Sequence, residues 1–287
     1  MLRRLHFPVI ALLLLTVGCS MSTGQDDANG QLLDIPEPTA LARSLVLPFD
    51  AYQLSDGETH ATYQGRDALI RDCMKKDGRS WATIRMPTDV ASWRNRLHFG
   101  VIEPEVARRF GYHTPAELLS SPVVRKVTAE MKIREAGLDS DSTKALQKCQ
   151  ASAKKTLTHN AMYSFVKFNE FKSETYSAAQ LDPTVLKGIQ AWSACMRTKG
   201  MDYPTPSSAK KDAKWYTEDT DKASRAEIAT ATADVECKSQ VSLVVVMFAA
   251  EKKLEEQAIQ ADLAYFKGLK DANRRYVANA RAVLAQS

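Results

Sequence analysis

The chain has 287 residues, 44% of them hydrophobic and 25% charged, the proportions of a globular protein with room for one large or two ordinary domains. The formal charge of +5 is too mild to argue for a nucleic-acid partner, the more so because Arg3 and Arg4 lie in a segment expected to be removed. Glycine is scarce at 12 residues, helix formers are abundant and alternating strand-like runs are few, so the expected class is mostly α.

Residues 1–18, MLRRLHFPVIALLLLTVG, place two arginines before an apolar run too short to span a bilayer and then small residues, which reads as a secretory signal. Leu15-Thr16-Val17-Gly18-Cys19 resembles a bacterial lipobox, in which the cysteine thiol receives diacylglycerol before cleavage. Cys19 is therefore expected to be lipidated, the alternative being an unmodified thiol. The stretch after it, to about residue 42, is rich in Ser, Gly, Asp, Asn and Pro and reads as a flexible tether from the membrane. The longest later apolar run, 241–250, is interrupted by Ser242 and stopped by Glu251. The body is expected to be soluble and extracytoplasmic, on the outer face of the cell membrane.

One phrase occurs twice: CMKKDGRSW at 73–81 and CMRTKGMDY at 195–203. The second closes an amphipathic pattern that opens with Asp182 as N-cap and Pro183 at the first helical position, and it ends at Gly200. The first closes a similar pattern at Gly78. The phrase thus predicts a helix end with its cysteine on the buried side. Each copy is followed by another cysteine in a helical pattern, Cys149 and Cys237. In an oxidising compartment four such cysteines imply two disulfides, and the pairing Cys73 with Cys149 and Cys195 with Cys237 makes each repeat self-contained. Thiol-exchange and metal readings are weaker: no CxxC occurs, no histidine lies at metal-binding spacing from a cysteine, and Met74 and Met196 are more simply core filler than copper ligands. No metal or cofactor is called for.

The expected organisation is two helical modules, each stapled by a disulfide: 43–181, with an irregular aromatic-rich insertion, and 182–287, with a long C-terminal helix or helical hairpin. In the insertion, residues 80–122, EPEVARRFG starts near a proline and closes on Gly111 as a short helix. Trp93, Arg94, Arg96, His98, Arg108, Arg109, Tyr112 and His113 form the candidate recognition surface, since arginines and aromatics on irregular backbone suit that role. The competing reading, that the rings plug the core beneath a long loop, weighs more heavily. His98 and His113 invite a catalytic role, but no GxSxG, HExxH or cysteine-protease motif supports one. From about Lys222 to Gln286 there is no proline and a single glycine, Gly268. A single helix there would reach nearly 100 Å, so it either breaks, near residues 251–257, or projects; folding back is preferred.

With the lipobox, LPFDAY at 47–52, the paired CMxxxG ends, RRFGYHTP at 108–115 and ADVECK at 233–238, the chain resembles the uncharacterised secreted lipoproteins of actinobacteria. The resemblance implies a lipid-anchored, disulfide-bearing helical protein and transfers no catalytic residue. The expected function is a non-catalytic binding or accessory protein of the cell envelope, with an unknown envelope protein as partner. The alternatives are a lipid-anchored solute-binding protein, which needs an interlobe cleft, or an envelope hydrolase, which needs converging titratable groups.

Overall fold

The computed structural model describes residues 33–87, 90, 92–161, 165–217 and 222–286, so the signal segment and Cys19 lie outside the described residues. Among these residues the regular structure is entirely helical, as the composition implies. In chain order come α1 (Ala40–Ser44), a 3-10 turn (Pro48–Tyr52), α2 (Asp56–Lys76), α3 (Pro104–Phe110), a second 3-10 turn (Ala116–Leu119), α4 (Pro122–Ala136), α5 (Ser140–Leu157) and α6 (Phe165–Ala179). They are followed by α7 (Pro183–Thr198), α8 (Pro206–Lys210), a third turn (Ala213–Tyr216), α9 (Arg225–Gln240), α10 (Leu243–Ala261) and α11 (Leu263–Leu284).

The repeated phrase is a helix end built twice to one plan. Gly78 and Gly200 have φ of 71° and 77°, the left-handed conformation glycine adopts without a Cβ penalty. The backbone N–H groups of Arg79 and Met201 then turn back to donate to the carbonyls of Met74 (2.9 Å) and Met196 (3.0 Å), closing the last turn. Both methionines are fully buried and fill the space beneath that closure. The aromatic that ends each copy ties the exit strand to its own helix: Trp81 Nε1 donates to Asp67 (2.8 Å), and the Tyr203 carbonyl accepts from Ser193 Oγ (2.7 Å).

The cysteine ahead of each methionine bridges to a second helix, Cys73 of α2 to Cys149 of α5 and Cys195 of α7 to Cys237 of α9, the pairing expected from sequence. A third helix completes each unit, α10 against α7 and α9 and α11 against α2 and α5. Glycines in the repeated helices permit the approach. A Cβ on Gly65 would lie 2.9 Å from the Ala280 backbone, and one on Gly188 2.9 Å from the tip of Leu243. A side-chain tip can move and a helix backbone cannot. Gly65→Val is therefore expected to lower the unfolding free energy by about 1–3 kcal/mol despite valine's better helix propensity. Urea titration of the variant beside the wild-type chain checks this.

Three expectations need correction. The expected tether does not run to residue 42, since Ile35 and Ala42 are buried in the core and α1 begins at Ala40. The division at 181/182 is not a boundary in space. Phe99, Val106, Tyr112 and Leu118 share one buried core with Val185, Trp192, Val235 and Leu243, and α11, from the chain's end, packs on α2, from its beginning. The units are assembled from interleaved segments. The C-terminal stretch does fold back, but it does not break within 251–257, which lies inside α10. It breaks at Ser242, which holds a φ of 52°, and at Asp262, whose carboxylate accepts from Tyr265 N–H to start α11.

Candidate functional site

The irregular stretch after α2 is a clasp in which the side chains of Arg94, Asn95, Arg96 and His98 are all engaged. Arg94 donates to the Leu54 carbonyl and lies 3.9 Å from both Asp50 and Asp56. Asn95 Nδ2 donates to the Leu45 carbonyl (2.8 Å) and to Asp50 (2.6 Å). Arg96, 1% exposed, donates to Glu103 (2.5 Å) and to the carbonyls of Leu118 and Pro36, while Glu103 accepts from Thr39 N–H. A buried guanidinium with a carboxylate and two carbonyls around it is satisfied, and it ties the N-terminal segment to the insertion.

His98 Nε2 bonds to Glu251 of α10 (2.8 Å), with its ring edge-on to Phe99 and Tyr176. One turn further along α10, Glu255 accepts from the backbone N–H of Phe49 (2.8 Å), the centre of the LPFDAY turn. Both glutamates are only 2% exposed. Burial, reinforced by the Glu251 and Asp50 charges, pushes the Glu255 carboxyl up to about 8, against which the Phe49 N–H and Lys172 act in the opposite direction. An ordinary glutamate titrates near 4.5, so Glu255 contributes stability that is fully present below that value and is lost as pH rises through about 8. Unfolding free energy should fall across that window with a contribution approaching about 1.4 kcal/mol per pH unit, and Glu255→Gln should flatten that part of the curve. Urea titrations at a series of pH values decide it; an unchanged slope in the variant excludes Glu255 as the source.

The RRFGYHTP stretch makes a second tie. Gly111, with φ of 55°, turns the N–H groups of Tyr112 (2.7 Å) and His113 (3.1 Å) onto Glu227 of α9, and His113 Nδ1 bonds to the same carboxylate (2.8 Å). A Cβ at Gly111 would sit 2.7 Å from that carboxylate oxygen. Deeper in α9, Asp234 accepts from Trp192 Nε1 (2.9 Å), Lys238 Nζ (3.0 Å) and the Tyr112 hydroxyl (3.3 Å), and Lys238 also donates to the Val101 carbonyl (2.9 Å). Burial raises the Asp234 carboxyl, and Lys238 offsets part of that rise. The Tyr112 hydroxyl is pushed well up by burial and the nearby Asp234.

Of the eight residues of the expected recognition surface, Trp93, Arg96 and Tyr112 are buried and form no surface. His98 and His113 are partly covered and held by buried carboxylates, and Arg94 is occupied by the N-terminal segment. Arg108 pairs with Glu105 at the surface, and Arg109 reaches Asp34. The clasp thus matches the preferred reading, rings buried beneath a long loop, because a loop with few backbone partners is held in place by its own side chains. Neither imidazole has a hydroxyl or thiol among its hydrogen-bond partners in the described residues.

The buried acids Asp67, Glu227, Asp234, Glu251 and Glu255 were not singled out from sequence. Their signal was present: Glu251 and Glu255 stand four apart, and Glu227 and Asp234 seven apart, at inward helical positions where apolar residues belong.

A shallow hollow of about 410 Å³ lies beside the second repeated phrase, walled by Gly200, Met201, Tyr203, Asp212, Lys214 and Trp215. Lys214 Nζ donates to the Tyr203 hydroxyl (2.6 Å), which donates to Asp212 (2.7 Å), and the ammonium lies 4.4 Å from the Trp215 ring centre. The Tyr203 hydroxyl and Lys214 hold the Asp212 carboxyl down to about 2. Among the described residues no three His, Cys, Asp or Glu side chains are grouped to hold a metal ion, and no helix is long and apolar enough to cross a membrane. No family model, curated protein or solved structure matches the chain.

Proposed function

We propose that the chain is a lipid-anchored extracytoplasmic lipoprotein whose body serves as a non-catalytic binding or accessory protein of the cell envelope. The lipobox at Cys19 and the resemblance to actinobacterial lipoproteins support the anchor, and the two disulfides suit an oxidising compartment. The observation that carries the non-catalytic part is the use made of the two histidines. His98 and His113 each tie a loop to a buried glutamate of a helix, which is a fastening role. The hollow beside Lys214 gives the solute-binding reading its own support, although it belongs to one unit and is not an interlobe cleft.

Crosslinking and pull-down of the acylated protein from membranes tests the reading. Recovery of an envelope protein with the wild-type chain is expected; recovery of a tightly retained small molecule without any protein would reverse the order in favour of a solute binder. Labelling with an alkyne fatty acid, lost in Cys19→Ala, tests the anchor separately.

A further inference from the structure

The two helices that flank α2 concentrate the positive charge of the molecule. On α5, Lys144, Lys148 and Lys155 follow one another at spacings of four and seven and so share one side of the helix. On α11, Lys267, Lys270, Arg274 and Arg281 recur at three, four and seven, opposite the buried Tyr265, Leu269 and Ala272. All seven cations are exposed. With Lys154 and Arg275 the two helices hold nine Lys and Arg against Asp141 and Asp271, a surplus of seven in a chain whose whole surplus is five. The remaining residues together are therefore net negative.

The two helices meet at one end through residues outside the stripes. Asn279 Nδ2 donates to the carbonyls of Leu157 (2.9 Å) and His159 (2.9 Å), and Arg275 Nε to that of Asn160 (2.5 Å), which seats α11 against the end of α5. Asp141 pairs with Lys144, and Asp271 with Lys267 and Arg274; Lys148, Lys155, Lys270 and Arg281 have no acidic partner among the described residues. Basic residues in a last turn complement the helix dipole, which accounts for Lys154, Lys155 and Arg281. It does not account for Lys148, Lys270 or Arg274, which lie in helix interiors.

We infer that this α5–α11 face docks the body onto an anionic phospholipid surface. Tyr265 and Phe266 of α11 are buried and Tyr276 is half-buried, so no fully exposed ring offers a base a stacking platform, and two neighbouring helices bearing spaced cations match a sheet of headgroup phosphates better than a single bound strand. The inference rests on the membrane-tethered reading to this extent: the stretch from Cys19 to Leu33 reaches at most about 50 Å, which keeps the face near the bilayer. Engaged cations each strengthen partition about fivefold.

The test is sedimentation of the full chain with neutral phosphatidylcholine vesicles and with vesicles containing about a third phosphatidylglycerol. Any contribution of the N-terminal segment or its acyl chain appears on both. Partition at least about tenfold stronger on the anionic vesicles is expected, falling towards the neutral value in about 0.5 M salt and in Lys148→Glu/Lys155→Glu/Lys270→Glu/Arg274→Glu. A version with glutamine at the same four positions should fall in between, and thermal unfolding of both variants establishes that they fold. Equal partition on the two vesicle types, an unchanged preference in a folded glutamate variant, or stronger retention on DNA than on anionic vesicles would overturn the proposal. Cys19→Ala separates the two ideas: it should lower partition on both vesicle types alike, and if it changes nothing the acyl-anchor reading fails while the charge-dependent difference still stands or falls alone.

Discussion

Asp234→Ala is expected to cost about 3–5 kcal/mol of unfolding free energy, enough to unfold many single domains near physiological temperature. The carboxylate is buried and serves three donors at once, Trp192 Nε1, the Tyr112 hydroxyl and Lys238 Nζ. Its removal leaves Lys238 buried with only the Val101 carbonyl to accept from it, and leaves the indole and phenol donors unpaired. The cost then comes mainly from the abandoned ammonium, and this has a diagnostic consequence. Asp234→Asn/Lys238→Met, which removes both charges and keeps an acceptor for Trp192, should be clearly more stable than Asp234→Ala. Guanidinium titrations of the three proteins decide the matter: a double variant as unstable as the single one would mean that the loss lies in packing and not in an unpaired buried charge.

The second large effect concerns the bridges. Opening Cys73–Cys149 releases a loop with a sequence separation of 76, and opening Cys195–Cys237 one of 42. Loop entropy alone makes these worth about 4.5 and about 4 kcal/mol. A typical domain has only about 5–15 kcal/mol to lose, so either paired Cys→Ala replacement should lower the denaturant midpoint sharply and loss of both should leave the chain largely unfolded. Cys149 and Cys237 are buried while Cys73 and Cys195 are partly accessible, so reductant reaches each bridge from the repeated-phrase side. Chemical denaturation with and without reductant, with peptide mapping under non-reducing conditions, checks the energies and the pairing. Labelling of all four thiols by an alkylating agent without reductant would remove the basis for both numbers.

Helix ends are legible in this sequence wherever they rest on residues with special backbone chemistry. Asp182-Pro183 and Gly200 bound α7, and Pro104 and Gly111 bound α3, as their spacing implies. The cysteine pairing follows from joining each repeated phrase to the cysteine that comes next in the chain. The break at Ser242 is not legible, because no glycine or proline marks it and a serine is held in a conformation that serine seldom adopts. The buried carboxylates are hidden for a different reason. An acid on a helix reads as solvent-facing until the loop that buries it is placed, and the clasp of Arg94, Asn95, Arg96 and His98 gathers partners from positions as distant as Pro36 and Glu251. Long-range closures of this kind have no local signature.

The pairing of α11 with α2 joins the last helix made to one of the first. A chain that emerges from its N-terminus onward must therefore leave the side of α2 around Gly65 without its cover until residues 263–284 have been delivered. The Cys73–Cys149 crosslink can already close by then, because its two helices and the chain between them are complete long before. The chain order thus allows a covalent crosslink first and the final wrapping only when the last helix has been made. A copy shortened at its C-terminus would keep the crosslink and lose the wrapping, presenting the groove beside Gly65 to whatever apolar surface is nearest.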